Sequence, residues 1–185
     1  KENTRAIFIE SLSNPFATIP DIEKIAAVAH RAGILLIVDN TLATPYLLNP
    51  FDYGADIVVY SATKGLTGHG NVIAGVVLES GKFDYGNGNY EHFLQPLWFL
   101  RDADDRERSI LDVFPNEPFT GRLRALHLNY LGAALSPFDA YLVLLGLETL
   151  SERVAKQVAN AKAVIEYLEQ NEHVSWVRHP YAKDN

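Results

Sequence analysis

Read for polarity alone, the chain alternates between short apolar runs and amphipathic stretches. "AIFIESL", residues 6–12, is a nearly unbroken apolar and β-branched run, the pattern of a strand buried on both faces. "SNPFATIP" follows as a loop by composition. In "DIEKIAAVAHRAG" the residues Ile22, Ile25, Ala26 and Ala29 recur at helical spacing, and Gly33 suits the helix C-terminus. "ILLIVDN" predicts a second buried strand, "ADIVVYS" a third and "NVIAGVVLES" a fourth. A strand, a helix and a strand within about thirty residues make a βαβ unit, so the sheet is expected to be mostly parallel.

The second half is less regular. Residues 81–119 carry aromatics, glycines and charges without a clean period, which predicts a partly helical or irregular surface excursion. A helix is expected from Thr120 to Leu131. "SPFDAYLVLLGLETL" starts with Ser136 as N-cap, Pro137 at N1 and Asp139 at N3. It is apolar nearly all round, which predicts a buried helix. Ser151 is expected to cap a further helix with Val154, Val158, Ala161, Ile165 and Leu168 on one stripe. "VSWV" after it reads as the first strand of a further unit. Both ends read as cuts in a longer protein, since a strand pattern begins almost at Lys1 and the chain stops just after "VSWV".

Composition narrows the classes. With 185 residues, 48% apolar, one globular domain with a sizeable core, or most of one, is expected. A formal net charge of −7 without any basic block argues against a nucleic-acid partner. The chain has no cysteine, which removes disulfides and thiolate metal sites, and no His/Glu spacing suggests a metal. Pure apolar runs such as Ile34 to Val38 are far too short to span a bilayer. His30 is expected on the solvent side of its helix, and His69 as a shaper of the glycine turn around it.

Candidate chemistry gathers at strand ends. "ILLIVDN" delivers Asp39 and Asn40, and "DIVVYSATKGLTGHGN" delivers Ser61, Thr63 and Lys64 before a glycine-rich turn. Ligands of open α/β sheets bind beyond the carboxyl ends of the strands. Ser61 and Thr63 are two apart, so in extended backbone both hydroxyls face one way, while Lys64 points across or starts the turn. Two hydroxyls suit a phosphate, the lysine could pair with it or form a Schiff base, and Asp39 could sit against a protonated ring nitrogen. Each residue also has an ordinary use: a strand-end Asp caps a turn, and Ser or Thr satisfies loop amides. Gly65, Gly68 and Gly70 are expected to permit positive φ and close backbone approach. The joint set is more telling, because a carbonyl cofactor needs an amine, a phosphate clamp and a carboxylate together.

On these residues the chain resembles the pyridoxal-phosphate-dependent enzymes of cysteine and methionine metabolism. "VDNTLATPYLLNPFDYGADIVVYSATKGLTGHGN" and "LGAALSPFDAYLVLLGLETLSERV" carry the resemblance over essentially the whole chain, and "SATK", "GHGN" and the "GKFDY" insertion are most similar to members that act on O-acetylhomoserine. The resemblance implies part of a fold type I, aminotransferase-like large domain over 1–150, a connecting helix over 151–172 and the start of a C-terminal domain over 173–185. It implies pyridoxal 5′-phosphate held by Lys64, with Asp39 at the pyridine nitrogen, Ser61 and Thr63 at the phosphate, and Asn14 near the phenolic oxygen and the substrate carboxylate. The implied reaction is γ-replacement on O-acetyl-L-homoserine by sulfide or a small thiol, in a cytoplasmic homo-oligomer, a tetramer by resemblance, with no membrane or nucleic-acid partner. A γ-lyase or a cystathionine γ-synthase would share the same residues. Relatives place a phosphate-binding loop and a ring-stacking tyrosine upstream of residue 1, and a carboxylate-binding arginine beyond residue 185, so this segment alone is expected to be inactive. Gly65 stands where many relatives carry Tyr. Two readings of other classes remain at this point: a nicotinamide dinucleotide domain, for which no GxGxxG follows the first strand, and a non-catalytic interaction domain.

Overall fold

The computed structural model describes residues 2–183. Its main sheet has four strands in the order β1-β2-β3-β4: β1 (Ala6–Glu10), β2 (Leu35–Asp39), β3 (Ile57–Ser61) and β4 (Gly75–Glu79). The first three run parallel and β4 returns antiparallel to β3, so the sheet is mostly parallel, as expected. Between β1 and β2 lies α1 (Ile22–Arg31). Its N-cap is Asp21, whose Oδ1 accepts from Lys24 N at 3.0 Å, and Gly33 beyond its end takes φ +64°, a conformation that costs a residue without Cβ little. The β2–β3 connection carries α2 (Thr44–Leu47) and a 3₁₀ turn, Pro50–Tyr53.

The central strands β2 and β3 are apolar on both sides because both sides are covered. β1, expected to be buried on both faces, is instead an edge strand with no fully buried residue and Phe8 60% exposed, and the other edge strand, β4, exposes Val77 and Leu78. Leu36, Val38, Val58 and Tyr60 face one core with Ile22, Ala26 and Ala29 of α1, and with Val143 and Val154 from two later helices. Leu35 and Ile57, displaced by one position, face a second core with Tyr85, Tyr90, Phe93 and Ile110. This is the period-two alternation of a strand, with apolar residues at both phases. Register sets up the site: Glu10 pairs with Asp39, Asp39 pairs with Val59, and β3 runs two residues further to Ser61. Three polar strand ends therefore meet along one edge.

Several expectations need correcting. Residues 81–119 do include irregular chain, a hairpin of β5 (Leu97–Arg101) and β6 (Glu107–Arg108), and the one-turn helix α3 (Ile110–Val113). They are not only a surface excursion, because their aromatics form the second core, with Tyr85 and Tyr90 ring centroids 5.6 Å apart edge-to-face. Aromatics spaced irregularly along a loop leave no period to read. The helix expected over Thr120 to Leu131 is present as α4 (Pro118–Arg122), a π-helical stretch Leu123–Leu128 and α5 (Asn129–Leu131). The capped start of α6 (Pro137–Leu147) is as expected, with Ser136 Oγ accepting from Asp139 N at 3.1 Å. Its burial is not: only Val143 and Gly146 are buried, while Phe138 is 68% and Leu144 63% exposed. The all-round apolar pattern demands covering on every side, and this chain covers one. The last helix, α7 (Leu150–Glu169), has Thr149 rather than Ser151 at its N-cap, and its stripe does turn inward at Val154 and Ile165. "VSWV" is not a strand; residues 174–177 find no partner strand among the described residues.

Candidate active site

Beyond the carboxyl ends of β1, β2 and β3 lies a cleft of about 290 Å³ lined by Glu10, Leu12, Asn14, Asp39, Thr41, Leu42, Ser61 and Lys64. A larger cleft of about 500 Å³ between Leu168 and Lys183 contains none of these groups. The strand-end cleft is built from inside outward. Asn40 is fully buried; its Oδ1 accepts from Ser11 Oγ at 2.7 Å, and its Nδ2 donates to Thr44 O, Leu48 O and Tyr60 Oη. That anchor fixes the end of β2 and leaves Asp39, the preceding residue, facing the cleft. Asp39 Oδ1 accepts from Thr41 N at 2.9 Å, an Asx turn that orients the carboxylate. Thr41 Oγ1 in turn accepts from Ser61 N at 2.8 Å, tying the ends of β2 and β3 together.

Lys64 sits in the turn after β3, with its N donating to Ser61 O at 3.1 Å and its O accepting from Gly68 N at 2.9 Å. Its side chain is exposed at the cleft. Asn14 is exposed at the opposite lip, where its N donates to Glu10 Oε2 at 2.9 Å. Among the described residues, the Lys64 amine, the Ser61 hydroxyl and the second Asp39 oxygen have no hydrogen-bond partner. The arrangement thus offers a primary amine, a hydroxyl and an oriented carboxylate to a ligand.

Thr63 is placed differently from Ser61. The chain leaves extended geometry at Ala62, so the alternation argument ends there, and Thr63 does not line the cleft. Its Oγ1 accepts from Ala74 N at 2.9 Å and donates to Ala74 O at a long 3.4 Å. His69 holds the glycine turn, with Nδ1 donating to Thr67 O at 2.6 Å. His30 keeps a solvent-facing edge, but its Nε2 lies 2.9 Å from Oδ2 of the buried Asp56. Gly68 and Gly70 have positive φ; Gly65 does not, and is instead close-packed, since a Cβ there would lie 2.8 Å from Thr44 Cγ2.

Sequence reasoning missed Glu10, Ser11 and Thr41. The signal existed: "AIFIES" ends in polar residues just as the other two parallel strands do. Thr41 was hidden because its role depends on a hydrogen bond to a residue twenty positions away.

An open, mostly parallel α/β sheet that presents an amine, a carboxylate and a hydroxyl at adjoining strand ends defines a class: a domain equipped to hold a small carbonyl-bearing, anionic cofactor. The chain belongs to the Cys/Met metabolism PLP-dependent enzyme family, whose model matches residues 1–185. It is similar to the homocysteine synthase of Schizosaccharomyces pombe, 42% identical over 182 residues covering 97% of this chain and 41% of that protein. It is also similar to the O-acetyl-L-homoserine sulfhydrylase of Leptospira meyeri, 39% identical over 97% of this chain and 41% of that protein. Among solved structures, a putative O-acetylhomoserine (thiol)-lyase from Campylobacter jejuni, containing N′-pyridoxyl-lysine-5′-monophosphate, superposes with a TM-score of 0.90 at 37% identity, covering 100% of this chain and 45% of that one. A cystathionine γ-lyase from Lactobacillus plantarum gives 0.72 at 28% identity. The chain spans about two fifths of the length of the curated relatives it matches. Family membership decides against the dinucleotide-binding reading and agrees with the fold type I architecture. No helix among the described residues is long and apolar enough to cross a membrane.

Proposed function

We propose that the protein containing this chain is a PLP-dependent transferase that exchanges the acetate of O-acetyl-L-homoserine for sulfide or a small thiol, giving homocysteine or methionine. The observation that carries the reading is the convergence of Lys64, Asp39, Ser61 and Asn14 on one strand-end cleft in a chain of this family. The residues fit the cofactor: Lys64 would hold its aldehyde carbon, Asp39 its ring nitrogen, Ser61 and Thr63 its phosphate, and Asn14 its phenolic side. Thr63 can serve without losing its own anchor. Its oxygen keeps accepting from Ala74 N, but Thr63 stands outside the cleft lining and its proton is given to Ala74 O at a long 3.4 Å, so contact with a phosphate requires that weaker bond to be exchanged.

When bound, the cofactor supplies an electron sink for negative charge on the amino-acid substrate. The chain's own groups do the rest. Asp39, oriented by Thr41, stabilises a proton on the ring nitrogen by placing negative charge beside it. Lys64, on a long flexible stem at the cleft mouth, is the base and acid that carries protons between the substrate's Cα and Cβ. The relatives' names support the O-acetylhomoserine preference, and the open apolar flank of α6 supports a homo-oligomer; a cytoplasmic location belongs to the same reading.

The test is to add PLP to the whole protein and to this chain, reduce with borohydride, and locate the adduct by peptide mass spectrometry. An adduct confined to Lys64 in the whole protein is expected; none at Lys64 overturns the cofactor assignment. Assays with O-acetyl-L-homoserine and sulfide then separate the outcomes. Homocysteine supports the transferase, whereas 2-oxobutyrate with ammonia would mark a γ-lyase.

A further inference from the structure

The turn that carries Lys64 is held from behind by a residue with no place in the cleft. Three of its hydrogen bonds are internal: Thr67 N to Ala62 O at 3.0 Å, Gly68 N to Lys64 O at 2.9 Å, and Thr67 Oγ1 to Thr63 O at 3.0 Å. The carbonyls of Gly65 and Leu66, the two residues directly after Lys64, are instead taken by the guanidinium of Arg153 on α7. Nη1 donates to Gly65 O at 2.8 Å and Nη2 to Leu66 O at 3.2 Å. The same guanidinium donates to Gly146 O at the end of α6 at 2.8 Å, and its Nε donates to Thr149 Oγ1 at 3.1 Å. Four acceptors from three segments thus meet on one rigid planar cation, which a lysine could not reproduce.

The surrounding packing is built for this closeness. Gly68 lies so near the guanidinium that a Cβ would overlap it, and Gly146 packs against the Thr67 backbone with no room for one. Leu66 beneath the turn is buried in the same core as Val143, Leu150 and Val154. Arg153 is also the one basic side chain in the first turn and a half of α7, where a cation opposes the helix dipole, so helix stability does not account for its presence.

The geometry points to Arg153 as a positioning residue for Lys64: through Gly65 and Leu66 it sets where the lysine backbone stands relative to Asp39 and Ser61. The inference rests on the reading of Lys64 as the cofactor-holding amine. Arg153 touches neither cleft nor cofactor, so it acts only through the turn.

The experiment uses the whole protein with Arg153→Ala, Arg153→Lys and the milder Thr149→Val, which removes the Nε acceptor together with a long 3.5 Å bond from Thr149 Oγ1 to Gly146 O. Lys156→Ala, exposed on the same helix, is the control. Each is titrated with PLP, reduced with borohydride at saturation, and the Lys64 adduct quantified, while the melting midpoint of the cofactor-free protein is followed separately. Arg153→Ala is expected to weaken PLP binding about tenfold and cut the trapped Lys64 fraction at saturation at least about threefold. Arg153→Lys should fall between, and Thr149→Val should shift in the same direction by less, with midpoint and trapping at control level for Lys156→Ala. Full trapping in Arg153→Ala overturns the proposal. So does a loss of midpoint with unchanged trapping in the folded fraction of Thr149→Val and Arg153→Lys, because a merely structural role would do that. If the unsubstituted protein traps no Lys64, the functional reading itself has failed, which is a distinct result from full trapping in every variant.

Discussion

Asp39 and Asn40 are neighbours with opposite tasks. Asp39 is half-buried and has one oxygen free for a ligand, whereas Asn40 is wholly enclosed and satisfies Ser11, Thr44, Leu48 and Tyr60. Asn40→Ala strands these partners without a replacement, and each buried unsatisfied group costs about 1–3 kcal/mol, partly relieved by relaxation. A loss of about 3 kcal/mol is expected by urea denaturation. Asp39→Asn keeps the Oδ1 acceptor for Thr41 N, so stability should change by less than about 1 kcal/mol while turnover of the whole protein falls by at least about a hundredfold. A third residue tests the opposite case. The Tyr85 hydroxyl is buried with no partner in hydrogen-bonding geometry, and burial followed by the charge of Glu79 pushes its phenol far upward. The Glu79 carboxylate is already occupied by Phe119 N and by Thr120 N and Oγ1. Tyr85→Phe should therefore match or exceed the parent in stability, by up to about 1–2 kcal/mol.

At the scale of elements, the strands and the first helix could be read from the chain because each obeys a local rule: apolar, β-branched runs for β1 to β3, and a cap, a stripe and a glycine for α1. That β1 lies at an edge with Phe8 exposed was not legible, because the run looks like those of the two central strands. The same local rules gave the Ser136 cap and the inward stripe of α7. What could not be read depends on distant partners. The second core draws Tyr85, Tyr90 and Phe93 onto Leu35 and Ile57 from an aperiodic segment, and "VSWV" has strand composition but no neighbouring strand. In the site, Asp39, Ser61 and Lys64 were legible as strand-end residues, while the separate setting of Thr63 turned on where β3 stops. Leu36, inaccessible at the centre of β2, should cost about 2–5 kcal/mol when truncated to Ala. The small helix α3 carries a pH signature. Backbone and side-chain hydrogen bonds from Ser109 hold the Asp112 carboxyl below its ordinary value. A carboxyl depressed in the folded state stabilises above the unfolded value, near pH 4, and loses that contribution as pH falls through the folded value. Because Asp112 is largely exposed the effect is small, and Asp112→Asn should slightly flatten the acid limb of the stability curve below about pH 4.

For the whole molecule, the open surface matters as much as the core. Phe138, Tyr141, Leu144 and Leu145 expose an apolar flank on α6, and large apolar patches mark interaction surfaces or aggregation liabilities. The isolated chain should self-associate in size-exclusion chromatography with light scattering, and Leu144→Asp should reduce that association. The span of each tie around the cleft has a further consequence, for the order in which the molecule folds. The bond between Ser11 and Asn40 closes 29 positions and that between Ser61 and Thr41 closes 20, whereas Arg153 reaches back 88 positions to Gly65. Loop-closure entropy favours short closures and slows distant ones. The strand-end cleft therefore belongs to the early-forming part of the chain, and the clamp on the lysine turn arrives late, so a nascent chain acquires its carboxylate and hydroxyls in place before its lysine is held still.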